Sequence, residues 1–383
     1  MTTPPISKPD TPVPPDALAV RVSKLSGYVL ASLLGVGLIS CGWLLYSGKI
    51  TLLPPNLSRD DVIHGEVTHK IAKQLSNAWL PEQAANLERG ASWVLFHDTG
   101  PRVRSGCPGW LFLNEELQVN RHATHNADVK AGVVVELQKK LAARGIQLLV
   151  AVVPDKSRIA SSALCHLERP ASLDNRVTQW EETLRQSGVA VINLAPTLAP
   201  LATSAYLRTD THWGEAGAKT AANAIAKQIQ TMGVQAEPSA TFEVRTEAPA
   251  IRPGDLVRLA GIDWLPLRLQ PTPESVVATD IKEQQSTDSQ GGDDLADLFG
   301  DDQLPNVALI GTSFSRNANF VGFLQLALGA KIGSFAKDGG KFSGSANDYF
   351  SNAAFEQTPP KLVIWEIPER DLQTPYDVIE LVK

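Results

Sequence analysis

The sequence predicts an α/β protein: a mostly parallel central sheet flanked by helices, preceded by one membrane-spanning helix. Three observations carry that reading. Apolar runs at Ile146–Val153, Val189–Leu194, Val307–Ile310 and Leu362–Ile367 have the length and composition of buried strands. Helical runs lie between them, the clearest with Ala218, Ala221, Ala222, Ile225, Ala226 and Ile229 on one face. Strands and helices in alternation produce parallel sheets covered on both sides. The third observation is Gly27–Tyr46, an uncharged and largely apolar stretch near the start.

In chain order, residues 1–26 are Pro-rich, carry Lys8, Arg21 and Lys24, and read as a disordered cytoplasmic segment. Residues 27–46 read as a transmembrane signal-anchor, because twenty residues at ~1.5 Å each cover ~30 Å, one hydrocarbon core. Trp43 and Tyr46 suit an interfacial aromatic belt, and the basic residues before the run favour an exported body in the periplasm. Leu38-Ile39-Ser40-Cys41 also resembles a lipoprotein cleavage box, but Trp43-Leu44-Leu45 carries the apolar run past Cys41. A cleaved signal peptide fits less well, since the run is long and lacks an A-x-A site.

Residues 47–105 read as an entry region, with a helix from Val67 to Leu80 stopping before Pro81. Residues 106–383 read as the main domain. Helices are expected at Val133–Ala143, Leu173–Gln186 and Asn317–Leu328, and a β-rich stretch over 242–269. Residues 280–302 are rich in Asp, Ser, Gln and Gly and read as a mobile acidic loop.

The chain has 383 residues, 43% hydrophobic, with a net charge of −6. That acidity speaks against nucleic-acid binding, which calls for a basic face. Of the three cysteines, Cys107 and Cys165 fall in the exported body, where they either pair or stay as buried thiols. His122 and His125 lack further ligands at metal spacing, and no metal site is expected.

Two short segments carry chemistry. Gly311-Thr312-Ser313-Phe314-Ser315 follows the apolar strand ending at Ile310, where functional groups of open α/β sheets collect. A serine entering a helix there has backbone N–H groups at hand for an oxyanion, or it is merely a cap. Asp210-Thr211-His212-Trp213 puts a carboxylate and an imidazole at i and i+2, on one side of an extended segment. The carboxylate can orient the imidazole as base toward a serine hydroxyl, or the two are a surface pair. Together they suggest Ser313 as nucleophile, His212 as base and Asp210 as its partner, with Ser315 as the rival nucleophile. Asn317 and Asn319 are candidates for a side-chain oxyanion donor, with helix capping as the alternative. Trp213, beside His212, is a candidate for stacking on a sugar. Lys156 and Arg158, after a strand end, either hold a carboxylated sugar or form salt bridges to the body. Arg370 reads as a structural ion-pair partner, and Trp110 and Trp365 as core.

Five blocks in order then form a recognisable pattern: GCPGWLFLNEEL (106–117), VVPDKSRI (152–159), DTHWGEAGA (210–218), GTSFSRNANFVGFLQLAL (311–328) and VIWEIPERDL (363–372). This combination resembles the SGNH-hydrolase-like alginate O-acetyltransferases of the AlgJ/AlgX type over residues 60 to 375, and its membrane segment is more similar to the anchored AlgJ branch. The resemblance implies an SGNH-hydrolase-like fold and an acetyl-serine intermediate on Ser313, with His212 and Asp210 as its partners. It implies no metal or cofactor, a polysaccharide acceptor, a membrane-bound O-acyltransferase supplying acetyl groups, and other exopolysaccharide-complex proteins. Thr312 stands where the wider SGNH hydrolases carry aspartate, and the Asp-x-His spacing also departs from theirs. A carbohydrate acetyl esterase and a non-catalytic scaffold of an acetylation complex are the alternative readings.

Overall fold

The computed structural model describes residues 23–48, 59–76, 78–284 and 304–375. Residues up to Leu87 form one unit and those from Glu88 onward another. In the first unit, Lys24–Tyr46 is a 23-residue helix with no buried residue, long and apolar enough to cross a membrane. A helix follows at Glu66–Ser76, and a further one begins at Trp79 and runs to Phe96. Pro81 therefore lies in the first turn of a helix rather than ending one. Its missing N–H costs nothing there, because first-turn N–H groups have no intrahelical acceptor.

The second unit is built on five parallel strands: β1 (Gln147–Val153), β2 (Ala190–Asn193), β3 (Val307–Ile310), β4 (Gly333–Ser334) and β5 (Leu362–Pro368). Their order across the sheet is β4-β3-β5-β1-β2. Alternation along each strand divides the core in two. Val150, Val152, Ile310, Val363 and Trp365 point to one side, where Val134, Leu137 and Leu141 of helix Ala123–Ala143 meet Trp180 and Leu184 of helix Arg176–Gln186. Leu149, Ala151, Val153, Leu309 and Ile364 point to the other, covered by helices Glu215–Thr231 and Phe320–Leu328. Alanines at 218, 221, 222 and 226 let the first of these lie close to the sheet.

Four expectations need correction. The helix expected at Val133 begins at Ala123, and only its later turns carry the buried residues at 3.6-residue spacing. Within 242–269, only Phe242–Thr246 and Ala250–Arg252 are strands, and Asp255–Leu259 is helical after Gly254. Residues 280–283 belong to strand Thr279–Glu283, antiparallel to Phe242–Thr246, and most of the expected acidic loop lies outside the described residues. The main unit also reaches back past residue 106, since Val103–Ser105 pairs with Leu111–Leu113.

Candidate active site

The candidate site lies at the carboxyl ends of β3, β5 and β1, as expected for an open parallel sheet. After β3, Gly311 and Thr312 lead into a one-turn helix, Ser313–Arg316, capped by the Thr312 hydroxyl accepting from the Phe314 N–H at 3.3 Å. Glu366, on neighbouring β5, fastens this turn. Its carboxylate accepts from the Thr312 N–H at 2.6 Å, the Thr312 hydroxyl at 3.0 Å and the Ser315 hydroxyl at 3.1 Å. Burial pushes the Glu366 carboxyl up, and the Thr312 and Ser315 bonds partly offset it. A Cβ at Gly311 would sit 2.6 Å from Glu366 Oε2, so the glycine is required for this approach. Ser315 is fully buried with its hydroxyl bound to Glu366, whereas Ser313 lines a cavity of about 600 Å³.

His212 reaches Ser313 from a tight loop. Leu207 N donates to His212 O at 3.2 Å and Gly214 N to Ala205 O at 3.0 Å, which leaves residues 208–211 as the tip. His212 Nε2 is 2.7 Å from Ser313 Oγ, and its Nδ1 is 2.6 Å from Asp210 Oδ1. Asp210 also accepts from the His212 backbone N–H at 2.9 Å. Burial raises the Asp210 carboxyl, but the His212 bonds and charge outweigh it, aided by Arg252, and hold it at about 2. An ionised carboxylate only accepts, so Nδ1 carries the proton and Nε2 accepts from Ser313. This is the geometry for drawing the hydroxyl proton from Ser313.

A strap over residues 250–259 closes the site from the side. Arg252 Nη2 donates to Asn317 Oδ1 at 2.7 Å, and its Nε lies 3.7 Å from Asp210 Oδ2. Because guanidinium only donates, this contact sets the Asn317 amide with Nδ2 toward Ser313 O, 2.8 Å away. Asp255 Oδ1 accepts from Thr211 N at 2.7 Å, and its Oδ2 lies 3.9 Å from His212 Nδ1. Burial and then the neighbouring Asp210 charge push the Asp255 carboxyl up. A Cβ on Gly254 would meet Thr209 O at 1.9 Å, so only glycine permits the strap to seat. Asp210, His212 and Asp255 bring ligand atoms within 4.8 Å of one another, as a metal site would require. In the arrangement seen, both imidazole nitrogens are engaged, Nδ1 by Asp210 and Nε2 by Ser313.

The structure brings Ser313, His212, Asp210 and Asn317 together on one cavity. Other expected site residues lie elsewhere. Asn319 Nδ2 donates to Thr279 O at 2.7 Å, and its side chain lines a separate small cavity beside Glu215, away from Ser313. Trp213 is fully buried, its ring 5.1 Å from Phe314 and 5.0 Å from Phe320, so no sugar can stack on it. Lys156 is also fully buried. Its ammonium donates to Leu111 O at 2.6 Å, Arg208 O at 2.8 Å and Asp210 O at 2.9 Å, pinning the loop that carries Asp210 rather than holding substrate. Arg158 donates to Glu369 at 2.7 and 2.8 Å, within a buried cluster that also holds Asp155, Arg169 and Arg176. Cys107 and Cys165 form a disulfide, with Cα atoms 5.1 Å apart.

Glu366, Arg252 and Asp255 were not anticipated from sequence. Glu366 had a visible signal, a lone charge inside the apolar run Val363–Ile367, and buried charges occur when bound. Arg252 and Asp255 lie in no comparable pattern.

Comparison with known proteins identifies the family. Residues 103–369 match the family model of the SGNH hydrolase-like domain of the acetyltransferase AlgX. The chain is 32% identical over 364 residues to the probable alginate O-acetylase AlgJ of Pseudomonas putida, covering 91% of this chain and 89% of that one. To the probable alginate O-acetylase AlgJ of Azotobacter vinelandii it is 30% identical over 325 residues, covering 83% and 82%. The solved O-acetyltransferase domain of Pseudomonas putida AlgJ matches with a TM-score of 0.62 at 28% identity, covering 73% of this chain and 95% of that one. The matched span and these relatives show that the chain belongs to the AlgX/AlgJ family of SGNH hydrolase-like acetyltransferases.

Proposed function

We propose that this protein transfers acetyl groups to hydroxyls of alginate or a similar exopolysaccharide through an acetyl-serine on Ser313. The observation that carries this reading is the line from Ser313 Oγ to His212 Nε2, 2.7 Å, and from His212 Nδ1 to Asp210 Oδ1, 2.6 Å, opening into the cleft. In the first half-reaction His212 Nε2 takes the Ser313 proton as Oγ attacks the acetyl carbonyl carbon. The oxyanion is met by the Ser313 N–H and by the second hydrogen of Asn317 Nδ2. The bond to the donor's leaving group breaks, and the imidazolium returns its proton to that group. In the second half-reaction an acceptor hydroxyl gives its proton to the same nitrogen and attacks the acetyl-serine. The Ser313 ester bond breaks, and Oγ recovers the proton.

The helix Lys24–Tyr46 serves in this reading as an anchor that leaves the catalytic domain in the periplasm. The Cys107–Cys165 disulfide suits that oxidising compartment. An exported enzyme has no cytosolic acetyl-CoA at hand, so a membrane-bound O-acyltransferase would pass the acetyl group across, within an alginate-acetylation complex. The test is incubation with an acetyl ester, with and without alginate oligosaccharide. Acetylated oligosaccharide supports transfer, free acetate alone makes it an esterase, and no turnover leaves a scaffold. Loss in Ser313→Ala with retention in Ser315→Ala is expected, and the reverse overturns the nucleophile.

A further inference from the structure

The cleft has a second lobe. This space of about 280 Å³ shares Ser313, His212, Asp255 and Gly339 with the larger cavity, but its other walls are different residues. Three of those residues are cations: Arg102, Lys341 and Arg370. The Arg370 side chain is only 12% exposed, and its nearest acid contact among the described residues is Glu116 Oε1 at 3.9 Å, beyond hydrogen-bond reach. Its Nη1 is buried with no hydrogen-bond partner among the described residues. Glu116 Oε1 likewise lacks a hydrogen bond among the described residues, so charge alone holds this pair, while the guanidinium lies 5.3 Å from the Phe314 ring and its side chain lines the lobe. Arg102 and Lys341 are exposed at the same lobe and form no ion pair among the described residues. Lys341 is held at φ 50°, a left-handed conformation that side-chain-bearing residues adopt at a cost.

Acids line the lobe too. Asp255 is engaged by the Thr211 N–H, Asp371 is buried and acted on by Arg370 and Lys130, and Glu115 is exposed. None of them makes a hydrogen bond or close ion pair to the three cations among the described residues.

We propose that this lobe is the acceptor subsite, where Arg370, Arg102 and Lys341 hold the carboxylate of a sugar acid while a ring hydroxyl faces Ser313. This rests on the acetyl-transfer reading above and deepens it. A guanidinium fork matches a carboxylate in plane and spacing, and two further cations fit a polymer with one carboxylate per sugar. The larger lobe, on the Arg252 side, is then left for the acetyl donor. An acceptor place beside the acetyl-serine lets a sugar hydroxyl compete with water in the second half-reaction, which a hydrolase does not need.

The test compares two acceptors of equal length, an alginate oligosaccharide and a neutral oligosaccharide, with p-nitrophenyl acetate as donor and the full chain in detergent. In the wild type the charged acceptor is preferred, and added salt erodes the preference. In Arg102→Ala/Lys341→Ala, whose side chains are exposed and safe for folding, kcat/KM for the charged acceptor falls about ten- to a hundredfold, and the preference is lost. Arg370→Lys keeps the charge without the fork and loses part of the preference. An equal fall for both acceptors, or no fall in either, overturns the subsite. A wild type that acetylates both acceptors equally also overturns it and leaves acetyl transfer standing. A wild type that only releases acetate overturns the transfer reading itself.

Discussion

Asp210→Asn separates an orienting carboxylate from a bystander. The substitution keeps the shape of the side chain and removes the charge that faces His212 Nδ1 at 2.6 Å. When His212 takes the serine proton, the imidazolium and carboxylate charges sit about 4 Å apart, where an effective dielectric of about 20 makes their attraction about 4 kcal/mol. At about 1.4 kcal/mol per decade, losing that attraction slows the chemical step about a thousandfold. An Asn that turns its NH2 toward Nδ1 also reverses the tautomer, and the same change in a serine-protease triad costs about ten-thousandfold. Asp255 is the nearby alternative, but its Oδ2 is 3.9 Å from the nitrogen and makes no hydrogen bond to it. Asp255→Asn is therefore expected to cost only about tenfold, through lost support of Thr211. The assay is kcat/KM for p-nitrophenyl acetate. Asp210→Asn within tenfold of wild type, or Asp255→Asn costing more than Asp210→Asn, would refute the reasoning. Stability provides a second readout. The Asp210 carboxyl is held at about 2, below its ordinary 3.8. A depressed carboxyl stabilises the fold above the unfolded value and loses that contribution as pH falls through about 2. Asp210→Asn is thus less stable than wild type by about 2 kcal/mol at pH ~5, and the two converge near pH ~2.

Ser315→Ala should leave activity within about threefold, since its hydroxyl is buried on Glu366; Glu366→Gln should cost far more, by loosening the Thr312 turn, and equal losses would contradict this. Lys156→Met removes the ammonium that serves three carbonyls, two of them buried, and should lower unfolding free energy by about 3–5 kcal/mol in a urea titration; a change below about 1 kcal/mol would count against it. Cys107→Ser opens a link between residues 58 apart in sequence and should cost about 4 kcal/mol by the chain-entropy argument, read as a lower Tm matched by reduction of the wild type.

The central sheet was legible because β1, β3 and β5 are buried on both faces, and such strands read as unbroken apolar runs. Ser313 and the Asp210–His212 pair were legible because each motif is local, a strand-to-helix turn and an i, i+2 pair. The groups that hold them in place were not. Glu366 meets Thr312 across 54 residues of sequence, and Asp255 meets Thr211 across 44, so only the fold brings them together. Trp213 and Lys156 misled for a related reason. Adjacency to a reacting residue, or a positive charge after a strand, looks like substrate contact, but tertiary packing turned both side chains inward. Arg158 shows the same with charge: its partner Glu369 lies 211 residues away. Pro81 was read as a stop because a proline ends a helix only when the helix runs into it, and here the helix starts just before it.

The central claim is an acetyl group carried on Ser313. Rapid quenching of the full chain with an acetyl ester, followed by peptide mass spectrometry, tests it most directly. The account predicts one acetyl group on the peptide holding Gly311–Arg316, placed on Ser313, absent in Ser313→Ala and discharged when alginate oligosaccharide is added. An acetyl group on Ser315 or elsewhere, or transfer that persists in Ser313→Ala, would contradict it.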